Sequence, residues 1–210
     1  MPKSVIDHLV VTAPSLETGA EYVRKALGAE LATGGEHPRM KTHNLLLKLG
    51  ESLFLEVIAP VPNVSPNRPR WFALDTLSTC CAPALVTWVV GTSDIQASAS
   101  ACSEYLGNIE PMSRGALDWL ITIPADGELV LGGVAPALIE WAVKAHPASA
   151  LHDHGFSLAK LELFHPQPER VARLIHSLDL DGPLALSQSE GKSSAHLVAH
   201  INTPHGIRLL

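Results

Sequence analysis

Two stretches decide the fold: 5-VIDHLVVTAP-14 with 52-SLFLEVIAP-60, and 84-ALVTWVVGTS-93 with 136-PALIEWAV-143. Each pair opens with a short β-branched strand and closes with an apolar strand holding one carboxylate, Glu56 or Glu140. Each opening strand runs directly into a polar cap and a helical stretch, 15-SLETGAEYVRKALG-28 and 93-SDIQASASACSEYLG-107. A pattern written twice constrains a fold more than a single motif, because equivalent positions must meet equivalent surroundings. Working outward, Ala13-Pro14 stops the first strand, Ser15 is the N-cap and Gly28 the natural C′ residue of the first helix. The Gly-rich stretch 34-GGEHPRMKTHN-44 leads into 45-LLLKLG-50, which turns at 50–52 into the closing strand. The first module is therefore β-α-β-β-β. In the second, 117-LDWLITIP-124, 127-GELVLGG-133 and the run ending at Val143 are the expected strands.

The remaining chain divides around these modules. Residues 1–60 form the first, 61–83 a Pro-rich connector whose Trp71 and Phe72 should pack, and 84–143 the second. Residues 144–155 form a second connector, and 156–210 a third, weaker β-α-β-β-β copy. Strict alternation on the first strand places Ile6, His8 and Val10 on one face and Asp7, Leu9 and Val11 on the other. Both faces are largely apolar, so the sheet should be covered on both sides. The fold class is α+β, with tandem modules forming a cupped half-barrel sheet. The unpaired third module must cover its edge by packing on the others or by a homodimer contact.

Composition narrows the function. The chain has 210 residues, 46% of them hydrophobic, and a positive mean hydropathy, so a folded core is expected. Fifteen basic against 21 acidic residues give −6 with no basic stripe, which argues against nucleic acid as a partner. No apolar run has the ~18–20 residues that span a bilayer. Three cysteines make no disulfide framework, and no charged-then-apolar leader precedes the first strand. A reduced, cytoplasmic protein is the expectation.

The motifs IDHLVVTAPSLETG, GGEHPRMKTHN, FLEVIAP and GGVAPALIEW resemble the glyoxalase-like domain proteins of the vicinal oxygen chelate (VOC) superfamily, the glyoxalase, bleomycin-resistance and dioxygenase group. The resemblance implies two modules cupped around a divalent metal, with ligands on the first and fourth strand of each. Carried over by position, it implies His8, Glu56 and Glu140 as metal ligands. The fourth position falls at Thr87 or Trp88, neither a usual ligand, and the third module offers Lys160 or Glu162. One imidazole with two carboxylates suits Zn, Ni, Mn or Fe(II), which could polarise a substrate carbonyl.

Each candidate also has a plainer account. His8 could be satisfied by a backbone carbonyl, Glu56 by Arg39 or Lys41, and Glu140 by exposed connector backbone. A carboxylate buried within LFLEVIA must nonetheless be paired, coordinated or protonated. Glu56 and Glu140 are candidate catalytic groups, and His37, His43 and Asn44 candidate substrate contacts at the cavity mouth. Trp141 reads as outward-facing core. His152 to Gly155, His146-Pro147, His165-Pro166 and Cys80-Cys81 read as solvated or turn residues. Two functions fit: a metal-dependent lyase, isomerase or dioxygenase acting on a small oxygenated molecule, or a metal-free module that binds a small molecule without catalysis.

Overall fold

In the computed structural model, residues 4–142, 146–189 and 195–210 are described. The expected strand ends at Val143, Glu190 and Ser194, and the connector residues Lys144 and Ala145, lie outside them. β1 (Ser4–Thr12) ends at the predicted break, and Ser15 caps α1 (Leu16–Leu27) through a reciprocal capping box with Thr18. Gly28, at φ 72°, closes that helix in the left-handed conformation. β2 (Ala32–His37), β3 (Thr42–Gly50) and β4 (Leu53–Pro60) follow as an antiparallel meander, and β4 returns parallel to β1. α1 lies close on β4 because Gly19 has no side chain; a Cβ there would stand 2.3 Å from Val57 Cγ1.

The second module repeats this plan with β5 (Ala84–Gly91), α2 (Ile95–Ala101), β6 (Asn108–Arg114), β7 (Leu117–Ile123) and β8 (Ala137–Trp141). The two join where β1 pairs antiparallel with β5, giving the order β2-β3-β4-β1-β5-β8-β7-β6. One strand differs from the reading of the sequence. GELVLGG is not extended; it holds a 3-10 turn over Val130–Gly133, with Leu131, Gly132 and Gly133 all at positive φ. The missing strand is β6, which carries Pro111. It sits at the sheet edge, where a residue without N–H is tolerated.

The two ends of the curled sheet are fastened together. Glu110 on β6 accepts hydrogen bonds from Arg39, beyond β2, at 2.6 Å and from Arg68, in the connector, at 2.5 and 2.7 Å. The 61–83 connector packs as expected, with Arg70, Trp71, Phe72 and Leu74 buried. A core inside the cup contains Val10, Ile58, Trp71, Val89, Ile121 and Ile139.

The third segment comprises β9 (Ser157–His165), α3 (Pro168–Ser177), β10 (Leu180–Asp181), β11 (Leu184–Gln188), β12 (His196–Thr203) and β13 (Gly206–Leu209). It does not repeat the module's strand order. Its four-stranded sheet runs β11-β9-β12-β13, while β10 pairs with the start of β1. Leu161, Leu163, Val171 and Leu174 share one core with Leu9, Trp88 and Val90, so this segment covers the outer face of the half-barrel. No described helix is long and apolar enough to cross a membrane.

Candidate functional site

Strict alternation fails on β1, and the failure builds the site. Ile6 pairs with Val90 and His8 with Val89, so Asp7 is an extra residue in the ladder. Such a bulge turns two successive side chains toward one face. Ile6 joins the outer core, whereas Asp7 and His8 are hydrogen-bonded to each other, Asp7 Oδ1 to His8 Nδ1 at 2.6 Å. Asp7 Oδ2 also accepts from Trp141 Nε1 at 2.8 Å and pairs with His146 Nε2 at 3.0 Å. The Ala148 N–H donates to His146 Nδ1, which fixes the proton of the neutral imidazole on Nε2, facing Asp7. Burial alone would raise the Asp7 carboxyl, but the hydrogen bonds from His146 and His8, reinforced by the positive charge of these rings when they are protonated, outweigh it and lower it to about 2. Asp7 is thus an anion that orients His8. The His8 ring stacks on Phe54 at 4.5 Å and turns Nε2 toward Glu56 Oε2, 3.7 Å away.

Glu56 lies beside Val10 on β4 and is buried. Its other oxygen accepts from Asn44 Nδ2 at 2.5 Å, not from Arg39 or Lys41. Asn44 Oδ1 is turned against Gly34, where a Cβ would stand 2.1 Å from it. His37 is buried between the edges of Trp71 and Trp119, with Nδ1 3.1 Å from Thr42 Oγ1. Burial lowers its pKa to about 4; Glu56 opposes the shift, while Arg114, His8 and His43 add to it.

These groups share one cleft. His8, His37, Asn44 and Glu56 form its polar wall, and Phe54, Trp71, Phe72, Trp119, Ile139 and Trp141 its apolar one. The empty space of the cleft, its open mouth included, is about 350 Å³. Arg114, at the end of β6, also faces this space. The sequence singled out neither Arg114 nor Trp119, and Trp141, expected to face outward as core, instead turns into the cleft and bonds Asp7. The outward expectation for Trp141 followed from placing Glu140 inside the cup; with Glu140 on the outer face of β8, alternation turns Trp141 inward.

The other expected ligands are elsewhere. Glu140 does not join His8 and Glu56; its Oε2 accepts the Ile95 N–H at 2.7 Å, at the first turn of α2. Ile139 takes the inward position on β8. Thr87 Oγ1 bonds the Ala135 carbonyl, and Trp88 points into the outer core. His43 is half-buried on the face of β3 opposite Asn44, and does not line the cleft. Lys160 and Glu162 pair with each other, and Glu162 with His200, in the second sheet.

Among the described residues, no group of three or more His, Cys, Asp or Glu side chains is arranged so that it could hold a metal ion. A divalent ion in such a cup takes three or more protein ligands, and here only His8 and Glu56 face one another. Asn44 presents its amide N–H, not its carbonyl, to Glu56. The donor set does not fit a resident metal.

Residues 6–178 match the glyoxalase-like domain family. No curated protein shows significant sequence similarity to the chain. Among solved structures, a hypothetical protein from Staphylococcus aureus is 12% identical, covering 89% of this chain and 86% of its own, with a TM-score of 0.61. A Streptomyces coelicolor methylmalonyl-CoA epimerase variant in complex with 2-nitronate-propionyl-CoA is 19% identical over 68% of this chain and 97% of its own, with a TM-score of 0.46. The methylmalonyl-CoA epimerase of Mycobacterium tuberculosis is 16% identical over 65% and 85%, with a TM-score of 0.41. At these identities the likeness concerns the fold alone.

Proposed function

We propose a function from the premise that the chain belongs to the glyoxalase-like domain family, within the vicinal oxygen chelate superfamily. It is an enzyme that moves a proton on a small oxygenated organic molecule, in the manner of an isomerase or lyase. The observation that carries this reading is the row Asp7–His8–Glu56: a base held by a buried anion, facing a second buried carboxylate across 3.7 Å. Such clusters are costly in an apolar cleft and mark candidate acid–base sites.

In the neutral form, with Nδ1–H donated to Asp7, His8 offers the Nε2 lone pair to the cleft. A C–H bond next to a substrate carbonyl breaks there. The proton goes to Nε2, and the electron pair forms a C=C bond while the carbonyl π pair moves onto oxygen. Asp7 stabilises the resulting imidazolium. Glu56, oriented by Asn44, exchanges protons at the neighbouring position, and reprotonation of carbon or loss of a β-substituent completes the turnover. A positioned acid–base pair of this kind contributes about 10²–10⁴-fold. The dioxygenase alternative needs an electron-donating metal, for which the donor set offers only two ligands.

The second reading, binding without catalysis, draws support from the aromatic lining and the narrow space. The test is hydrogen–deuterium exchange followed by NMR on a panel of small keto and hydroxy carbonyl compounds. It is run with chelator, and separately with Zn, Ni, Mn or Fe(II). The proposal expects exchange that persists in chelator and falls at least about 100-fold in His8→Gln and Glu56→Gln. Ligands that bind and stabilise the protein without exchange would establish the binding reading. Exchange that appears only with an added ion would restore the metal. Homodimerisation and a cytoplasmic location are part of the proposal, checked by sedimentation and by cell fractionation.

A further inference from the structure

Three arginines lie near the edge where β2 and β6 meet, and their circumstances differ. Arg39 and Arg68 are both ion-paired to the one carboxylate of Glu110, Arg39 donating also to the Pro111 carbonyl, while Arg68 Nε is left without a partner. The side chain of Arg114, four residues further along β6, makes no hydrogen bond or ion pair among the described residues, although its backbone pairs with Leu117. It is nonetheless half-buried in the cleft, and burial lowers its pKa against the pull of Glu56. Its position is constructed. The Arg114 stem lies against Gly35, where a Cβ would stand 3.0 Å from Arg114 Cδ, and Gly35 itself sits at φ 149°. A second donor in the cleft wall is also unmatched: Trp71 Nε1–H is buried with no acceptor. Both groups only donate. Glu56, which lines the same cleft, is hydrogen-bonded to Asn44, and Asp7 is engaged with His8, Trp141 and His146.

Asn44 Oδ1 also lacks a partner but is turned against Gly34, so the unpaired guanidinium and the unmatched indole N–H both call for a ligand that brings acceptors. We propose that Arg114 anchors a carboxylate, so that the substrates are small organic acids whose reacting carbon lies toward His8 and Glu56. The planar guanidinium fork matches a carboxylate's two oxygens, and the surrounding rings exclude the water that would screen the pair. The apolar walls take the remainder of the molecule. This deepens the reading above and rests on the cleft being the substrate site.

The experiment compares phenylacetate with phenylacetamide, which share an aryl body suited to the aromatic walls and differ in charge. Binding is measured by titration calorimetry to the wild type, Arg114→Gln, Arg114→Lys and His8→Gln. The expected result is an acid preference of about tenfold or more in the wild type. It should vanish in Arg114→Gln with amide binding unchanged, and persist in part in Arg114→Lys, a point charge without the fork. His8→Gln should keep the preference. Equal binding of acid and amide, a preference that survives Arg114→Gln, or no binding of either would overturn the anchor.

The two proposals fail separately. An Arg114-dependent acid preference without any deuterium exchange would remove the proton-transfer reading and leave the anchor. Exchange that is equally fast on neutral ketones and unaffected by Arg114→Gln would do the reverse.

Discussion

Trp141 and Asp7, 134 positions apart, are joined by a 2.8 Å hydrogen bond from the indole N–H to the carboxylate. The bond ties the last strand of the second module to the first strand of the first. It also closes the donor set around Asp7, because Gly91 beside it leaves room: a Cβ there would stand 3.1 Å from Asp7 Oδ2. The anion that orients His8 is therefore a product of both modules and of the connector that supplies His146.

Acid should reveal this arrangement. The folded Asp7 carboxyl lies near 2 against an ordinary 3.8, so its stabilisation is complete above the unfolded value and is lost as pH falls toward 2. The expected contribution is on the order of 2 kcal/mol. Denaturant melts between about pH 5 and pH 2 should show a steeper loss in the wild type than in Asp7→Asn.

His37 gives a second pH dependence in a different window. Its folded pKa of about 4 lies below the ordinary 6.5, so the unfolded chain binds the proton first. Stability should decline as pH falls from 6.5 to 4, by about 3 kcal/mol, and the decline should be absent in His37→Gln. Imidazole NMR resonances should show His37 still neutral at pH 5. A His37 that titrates near 6.5 would contradict its burial between Trp71 and Trp119.

Gly34→Ala tests how Asn44 is held. The new methyl group would occupy the place of Asn44 Oδ1, 2.1 Å away, and drive the amide off Glu56. We expect a loss of about 1–3 kcal/mol in stability. Exchange activity should fall alongside that of Asn44→Ala. If Gly34→Ala were silent, the amide would have another place to go.

Glu140→Ala separates a helix cap from a ligand. Losing the acceptor for the Ile95 N–H should cost about 0.5–2 kcal/mol while leaving ligand binding and deuterium exchange at the wild-type level. A loss of activity without loss of stability would put Glu140 back in the chemistry.

The sequence alone determined the two β-α-β-β-β modules, the cap at Ser15 and the packing of Trp71 and Phe72, and it singled out His8, His37, Asn44 and Glu56, which the structure brings to one cleft. Strand periodicity, turn residues and a carboxylate in an apolar run are local signals, and neighbouring residues suffice to read them. Its misses have one physical source: long-range pairing decided them. The edge position of β6 made Pro111 acceptable in a strand, and the Leu129–Gly133 backbone turned where a strand was expected. The bulge at Asp7 arises from register against β5 and rotates Asp7 to the side of His8. The inward turn of Ile139 sent Glu140 to α2, and the meeting of β2 with β6 brought Arg114 to the cleft. Which face a side chain takes, and which charge it meets there, depends on strands far away in sequence. That is a property of the closed sheet, and only the tertiary structure decided it.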